Sequence, residues 1–114
     1  MIYKVAFASS DGKVVNQHFG KSDKFHIVEI NEDDKSYKFI ESRDNVPSCS
    51  NFQHSEDSLS NAVKVIEDCK ALFVAKIGPG AAAKVESKGI SAIEAPYFIE
   101  DILDKILNSK VRLF

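Results

Sequence analysis

The chain has 114 residues, 44% of them hydrophobic and 28% charged, which predicts one globular domain spanning residues 1–114. Fifteen Lys and Arg residues against seventeen Asp and Glu give a net charge of −2. No basic block that would neutralise phosphates is present, so nucleic acid is not expected as a partner.

The longest apolar runs fall far short of the ~20 residues of a membrane span, so no membrane partner is expected either. The amino-terminal residues do not resemble a signal peptide, and we therefore expect a cytoplasmic protein.

Three strands are predicted in the first part of the chain. A β-branched and aromatic run over residues 2–8 ends in a turn of Ser, Asp and Gly residues. Further strands are predicted over residues 24–30 and 36–42. In the last one, Tyr37 and Phe39 should face one side and Lys38 the other, as expected where one face of a sheet is partly solvated.

Helices and strands alternate in the second part of the chain. After a loop over residues 44–54, apolar residues recur at helical spacing up to about Cys69, on which basis Cys69 is assigned to core packing. The continuously apolar run over 71–75 is typical of a central strand. The remaining predicted elements are a helix over 81–88 stopped by Gly89, a strand over 90–93 and an amphipathic helix over 98–108.

This order of elements predicts an α/β fold with helices on both faces of a mixed sheet. If the first three strands form a meander and the fourth is parallel to the first, right-handed crossovers favour the strand order 3-2-1-4-5. The expected architecture is therefore a ribonuclease H-like three-layer α/β/α arrangement with five strands.

The predicted topology brings three connections to one edge of the sheet, namely residues 9–23, 44–54 and 76–80. Ligands of open α/β sheets bind at the carboxyl ends of strands, near the point where the strand order reverses. That point should lie between strands one and four. The residues with binding chemistry expected on this rim are His18, Cys49, His54, Lys76 and Gly78.

A thiolate and imidazoles on neighbouring loops are ligands that suit iron–sulfur clusters. Cys49 lies among short polar residues rather than in an apolar stripe, which favours a functional thiol. Lys76 offers a positive charge to an anionic ligand, and the helix that follows Gly78 offers free N–H groups. Ordinary structural roles in loops remain the alternative for His18 and His54, and His26 is interpreted as a structural residue within a strand.

Enzyme signatures are missing from the sequence. It contains no phosphate-binding loop, no dinucleotide-binding glycine motif and no nucleophile elbow, and the first strand lacks the carboxylate that a ribonuclease H would need for its metal ions. We therefore expect a protein that is not an enzyme.

Several stretches together resemble the dinitrogenase iron–molybdenum cofactor biosynthesis family, which includes the NifX and NafY type and the carboxyl-terminal domain of NifB. The resemblance covers nearly the whole chain, and its most specific element is His18-Phe19-Gly20 followed by an aromatic strand. The other matching stretches are residues 5–12, 15–25 and 69–80, Pro47-Ser48-Cys49 before the first helix, Gly89-Ile90, and Tyr97-Phe98-Ile99-Glu100.

The resemblance implies a ribonuclease H-like fold without nuclease activity that carries iron–sulfur or iron–molybdenum cofactor precursors between a synthase, a scaffold and a nitrogenase-type acceptor. It implies His18 as the residue that contacts the cofactor and Cys49 as a second metal ligand, with Phe19 and Gly20 shaping the approach. The Cys-x-x-x-Cys-x-x-Cys motif of radical S-adenosylmethionine enzymes is missing, so the synthesis performed by NifB is not expected here. The alternative hypothesis is a metal-free interaction or regulatory module.

Overall fold

The computed structural model describes residues 2–19, 22–44 and 62–108. Five strands form one mixed sheet in the order β3-β2-β1-β4-β5, which confirms the predicted strand order and the α/β class. The strands are β1 (Ile2–Ala8), β2 (Lys24–Asn31), β3 (Ser36–Asp44), β4 (Ala71–Val74) and β5 (Ser91–Glu94). The helices are α1 (Pro79–Ser87) and α2 (Ile99–Asn108), and residues 62–65 are also helical.

The pairing directions bring the carboxyl ends of three strands to one edge, and of the connections predicted there residues 45–54 lie outside the described residues. Strand β2 is antiparallel to both β1 and β3, whereas β4 is parallel to both β1 and β5. Strands β1, β3 and β4 therefore end at the same edge of the sheet, and the strand order reverses between β1 and β4.

Side chains of the central strands point alternately to the two faces of the sheet, so the core has two layers. On one face, Ala6 and Leu72 pack with Val85 of α1 and with the helical residues 62–65. On the other face, Phe7 and Phe73 stack with ring centroids 5.1 Å apart. They pack there with Ile99, Ile102 and Leu103 of α2. Helices thus cover both faces, as β1 and β4, which are apolar on both sides, require.

The largest departure from the predicted elements concerns the helix that was expected to continue to about Cys69. The helix ends at residue 65, and the N–H groups of Ile66, Glu67 and Cys69 donate to carbonyls three residues earlier. This tighter turn brings the Lys70 N–H within 2.7 Å of the Lys4 carbonyl, so the chain enters β4 directly beside β1. Cys69 is nevertheless 5% exposed, which confirms its assignment to the core.

Strand β1 has its predicted bounds, and the other predicted elements are present with ends shifted by one or two residues. Helix α1 begins at Pro79, two residues before the predicted start, because proline is well tolerated in the first turn of a helix, where its missing N–H has no intrahelical partner. Gly89 has the positive φ of +81° expected of the residue that follows a helix. No helix in the described part of the chain is long and apolar enough to cross a membrane.

Candidate functional site

Residues 14–19 lie across the carboxyl ends of β1 and β4. The Gln17 N–H donates to the Ala8 carbonyl at the end of β1 (3.3 Å), and the Gln17 carbonyl accepts from the Ala75 N–H just beyond β4 (3.0 Å). The Phe19 N–H then donates to the Lys76 carbonyl (3.0 Å). This segment, which we call the rim segment, therefore fixes the loop after β1 at the point where the strand order reverses.

The rim segment pairs His18 with Lys76. The two residues form an isolated parallel β-bridge, and both are exposed. On either side of His18, Val15 and Phe19 are each 1% exposed, and they pack into opposite layers of the core. Because its buried neighbours hold the backbone, His18 presents an accessible imidazole from a fixed position.

Side-chain hydrogen bonds hold the far end of the same loop. The Ser22 hydroxyl lies 3.3 Å from Gln17 Oε1 and 3.1 Å from the Lys24 carbonyl, and it is buried. Gln17 Nε2 donates to Asp23 Oδ1 over 3.1 Å. The residues before and after His18 are therefore linked to each other as well as to the sheet.

The turn after β4 forms the other side of the site. The Ile77 N–H donates to Glu94 Oε2 at the end of β5 (3.0 Å), which holds the turn against the sheet. Gly78 is the N-cap of α1, its carbonyl accepts from the Ala82 N–H (2.9 Å), and no side chain caps the helix. The space around Gly78 is open, so the first-turn N–H groups next to Lys76 are accessible to an anion.

Of the residues predicted for the site, the structure brings together His18, Lys76 and Gly78 on one rim. The side chain of Phe19 points inward and contacts Phe25, with ring centroids 6.1 Å apart, so it anchors the rim segment. The other predicted site residues, Gly20, Cys49 and His54, lie outside the described residues. Within residues 2–19, 22–44 and 62–108, no three His, Cys, Asp or Glu side chains are grouped so as to hold a metal ion.

His26 occupies a structural position, as its place in a strand predicted. Its Nδ1 lies 2.9 Å from the Ser42 hydroxyl, while its Nε2 is buried without a hydrogen-bond partner. Burial lowers the pKa of the imidazole, and the Ser9 carbonyl opposes that shift. The ring also lies against Gly12, whose φ is +76°, and a Cβ added there would sit 3.3 Å from His26 Cε1.

One surface feature was not predicted as functional. Three exposed aromatic side chains flank an open cavity between α2 and β3, namely Tyr37, Phe39 and Phe98. The alternation of β3 predicted that Tyr37 and Phe39 share one side, but sequence alone did not show that this side is exposed or that Phe98 would join it.

Comparison with known proteins agrees with the resemblance of the sequence. The family model described as "Dinitrogenase iron-molybdenum cofactor" matches residues 1–109. The chain is 34% identical to the FeMo cofactor biosynthesis protein NifB of Herbaspirillum seropedicae, over 94% of this chain and 22% of that protein. It is 31% identical to NifX of Sinorhizobium fredii, over 90% of this chain and 66% of that protein.

A solved structure shares the fold. The crystal structure of PH0822 superposes with a TM-score of 0.70 at 22% identity, over 96% of this chain and 94% of that one. The chain thus spans 22% of the NifB protein and 66% of the NifX protein that it matches. Because the family model covers nearly its whole length, this chain belongs to the dinitrogenase iron–molybdenum cofactor family.

Proposed function

We propose that this chain takes part in iron–molybdenum cofactor biosynthesis as a non-catalytic carrier of iron–sulfur or iron–molybdenum precursors. The observation that carries the proposal is the rim segment, which holds His18 exposed beside Lys76 where the strand order reverses. Family membership supplies the cargo class, since relatives at about 30% identity are named as NifB and NifX proteins.

In this proposal the His18 imidazole ligates a metal of the cargo. Imidazole nitrogen is a common ligand of iron, and His18 is exposed between the buried residues Val15 and Phe19. Lys76 and the free N–H groups beyond Gly78 favour a cargo with negative charge. Cys49 is proposed as the second metal ligand, and Gly20 and His54 as neighbours of the bound cargo.

A site with few protein ligands suits a carrier. A closed cage of four ligands holds its metal as a structural element, whereas a site with open positions exchanges what it binds. The partners proposed on this basis are a cofactor synthase or scaffold that delivers the cargo and a nitrogenase-type acceptor that receives it. The proposal includes one ribonuclease H-like domain over residues 1–114 that works in the cytoplasm.

The test is an anaerobic titration of the purified protein with isolated iron–molybdenum cofactor, followed by visible absorbance and electron paramagnetic resonance. We expect His18→Ala to weaken binding by about tenfold or more, the scale on which lost interactions around a metal reduce affinity. The two cysteines give a matched pair, because Cys49→Ser should weaken binding and Cys69→Ser should not. Thermal unfolding of each variant verifies that it is folded.

Equal affinity of His18→Ala and the unchanged protein would refute the role of His18. Failure of the unchanged protein to bind this cofactor, and to acquire colour with iron, sulfide and reductant, would refute the carrier function. That second result would favour the metal-free interaction module.

A further inference from the structure

Helix α2 covers only part of its face of the sheet. It packs over β1, β4 and part of β2, where Phe7, Phe73 and Val28 are at most 4% exposed, whereas Tyr37 and Phe39 on the edge strand β3 are exposed. Between α2 and β3 lies a cavity of about 710 Å³, which we call the aromatic groove. Its apolar lining includes Val28, Tyr37, Phe39, Phe98 and Leu103, and Asp11 and Lys13 of the loop after β1 add one charge of each sign.

The groove concentrates exposed apolar surface. Tyr37, Phe39 and Phe98, which are 47%, 56% and 60% exposed, are three of the five large hydrophobic side chains exposed in the described part of the chain. Single exposed hydrophobic residues are ordinary, but a contiguous apolar surface rimmed by polar groups is typical of a protein interaction site. Aromatic side chains also dominate the energetics of such interfaces.

Acidic residues of α2 border the same groove. Glu100 lines it together with Leu103 on the same helix. An adjoining hollow of about 260 Å³ shares Tyr37 and Glu100 with the groove and adds Asp101 and Asp104. Across the described residues, neither Glu100 nor Asp101 forms an ion pair with a Lys or Arg. Within residues 2–19, 22–44 and 62–108, the α2 side of the groove thus offers two carboxylates without a cationic partner.

We propose that the aromatic groove docks an amphipathic helix of a partner protein whose apolar face covers Phe39 and Phe98 and whose basic residues meet the carboxylates of α2. The exposed aromatic side chains of β3 lie across the groove from α2, which is the position of a second helix in a layered α/β fold, where helices pack about 8–10 Å apart. Charge complementarity to Glu100, Asp101 and Asp104 selects Lys and Arg on the side of that helix nearest α2.

The shape of the groove favours a helix over a small molecule. Small ligands bind in enclosed sites that bury most of their surface. This groove instead opens along the edge strand β3, and its aromatic side chains are about half exposed. A helix laid beside α2, which has ten residues, would cover them along about 15 Å.

The test uses the full chain and a defined probe, a helical peptide of about 14 residues built from Leu and Lys with Leu at amphipathic spacing. Its matched counterpart replaces every Lys with Glu. Binding is followed by calorimetry and by chemical-shift mapping, without cofactor, so the outcome is independent of the proposed carrier function. We expect the Lys peptide to bind about tenfold or more tightly than the Glu peptide, with shifts centred on Val28, Phe39 and Leu103.

Substitutions inside and outside the aromatic groove test where the peptide binds. Phe39→Ser should weaken binding by about tenfold or more, whereas Ile2→Ser, a control that removes an equally exposed apolar side chain outside the groove, should not. Glu100→Lys should likewise weaken binding, and Glu86→Lys on α1 is its charge-matched control on the opposite face of the sheet.

Three results would overturn the proposal. The first is equal binding of the two peptides, or shifts centred outside the groove. The second is a tenfold gain of affinity on removal of residues 109–114, which would make a segment of this chain the occupant. The third is a concentration-dependent dimer in sedimentation that Phe39→Ser dissociates, which would make a second copy the occupant.

Discussion

Arg43 joins strand β3 to the turn that follows the helical residues 62–65, and its replacement tests how strongly that contact stabilises the fold. Its guanidinium is bidentate to Asp68, with Nη1–Oδ1 at 2.6 Å and Nη2–Oδ2 at 2.9 Å, and Nη1 also donates to the Val65 carbonyl at 2.7 Å. Lys4 Nζ lies 3.3 Å from the same carboxylate. One side chain thus ties an edge strand to the segment that precedes β4.

The expected loss of unfolding free energy depends on how strongly solvent screens the ion pair. The Arg43 side chain is 20% exposed, but that of Asp68 is 42% exposed, so solvent screens the pair and a buried-pair energy does not apply. With bidentate geometry we expect a coupling of about 1 kcal/mol between the two charges. Loss of the bond to the Val65 carbonyl adds about 1 kcal/mol, so Arg43→Met should cost about 2 kcal/mol in total.

The assay is urea unfolding of a double-mutant cycle with Arg43→Met, Asp68→Asn and the double variant near pH 7. Lys38→Met on the same strand is the control, because Lys38 is exposed and makes no ion pair among the described residues. Its unfolding free energy should change by less than about 0.5 kcal/mol.

The coupling should also depend on pH. The Arg43 guanidinium holds the pKa of Asp68 well below its ordinary value of 3.8, and burial opposes the shift. Because the unfolded chain takes up the proton first, this stabilisation is complete above about pH 5 and is lost progressively as the pH falls further. A coupling below about 0.3 kcal/mol near pH 7, or one that persists unchanged to low pH, would refute the reasoning.

Three further predictions concern glycine, histidine and cysteine. Gly89→Ala should cost about 1 kcal/mol of unfolding free energy, because the φ of Gly89 is +81°. Gly12→Ala should cost about 2 kcal/mol, because the φ of Gly12 is +76° and the new Cβ would also sit 3.3 Å from the His26 ring. Equal losses for the two variants in urea unfolding would contradict the contact with His26. Burial lowers the pKa of His26 from 6.5, so the contribution of its neutral form to stability is present above pH 6.5 and is lost as the pH falls. Between neutral and mildly acidic pH, His26→Gln should therefore lose less unfolding free energy than the unchanged protein does. Burial raises the pKa of the Cys69 thiol to about 12, so in a Cys49→Ser background a thiol reagent at neutral pH should react only after unfolding, and rapid reaction of the folded protein would contradict this.

Local sequence patterns determined most of the sheet. The run over Ile2–Ala8 was predicted with its observed bounds, and the apolar run at 71–75 was placed correctly beside it, because buried parallel strands carry continuous hydrophobic residues. The strand order followed from handedness rules that apply to any such chain. The same topology predicted that His18, Lys76 and Gly78 would share one rim.

The prediction of the helix end failed for a physical reason. The apolar spacing continues through Ile66 and Cys69, and both are buried, so the pattern alone does not distinguish a helix from a tight turn. The distinction depends on the hydrogen bond between Lys70 and Lys4, residues far apart in sequence. The periodic pattern indicates which side chains are buried. Whether the backbone there is a helix or a tight turn depends on hydrogen bonds to residues distant in sequence.

The sequence by itself determined the family, through its resemblance at stretches such as His18-Phe19-Gly20, and the strand order, through local composition, spacing and general rules of chain connection. Only the tertiary structure decided that Phe19 points into the core while His18 stays exposed, since that depends on the backbone bonds to Ala8, Ala75 and Lys76. It also decided that α2 leaves Phe39 uncovered, because the width of sheet that a helix covers is set by packing between distant segments.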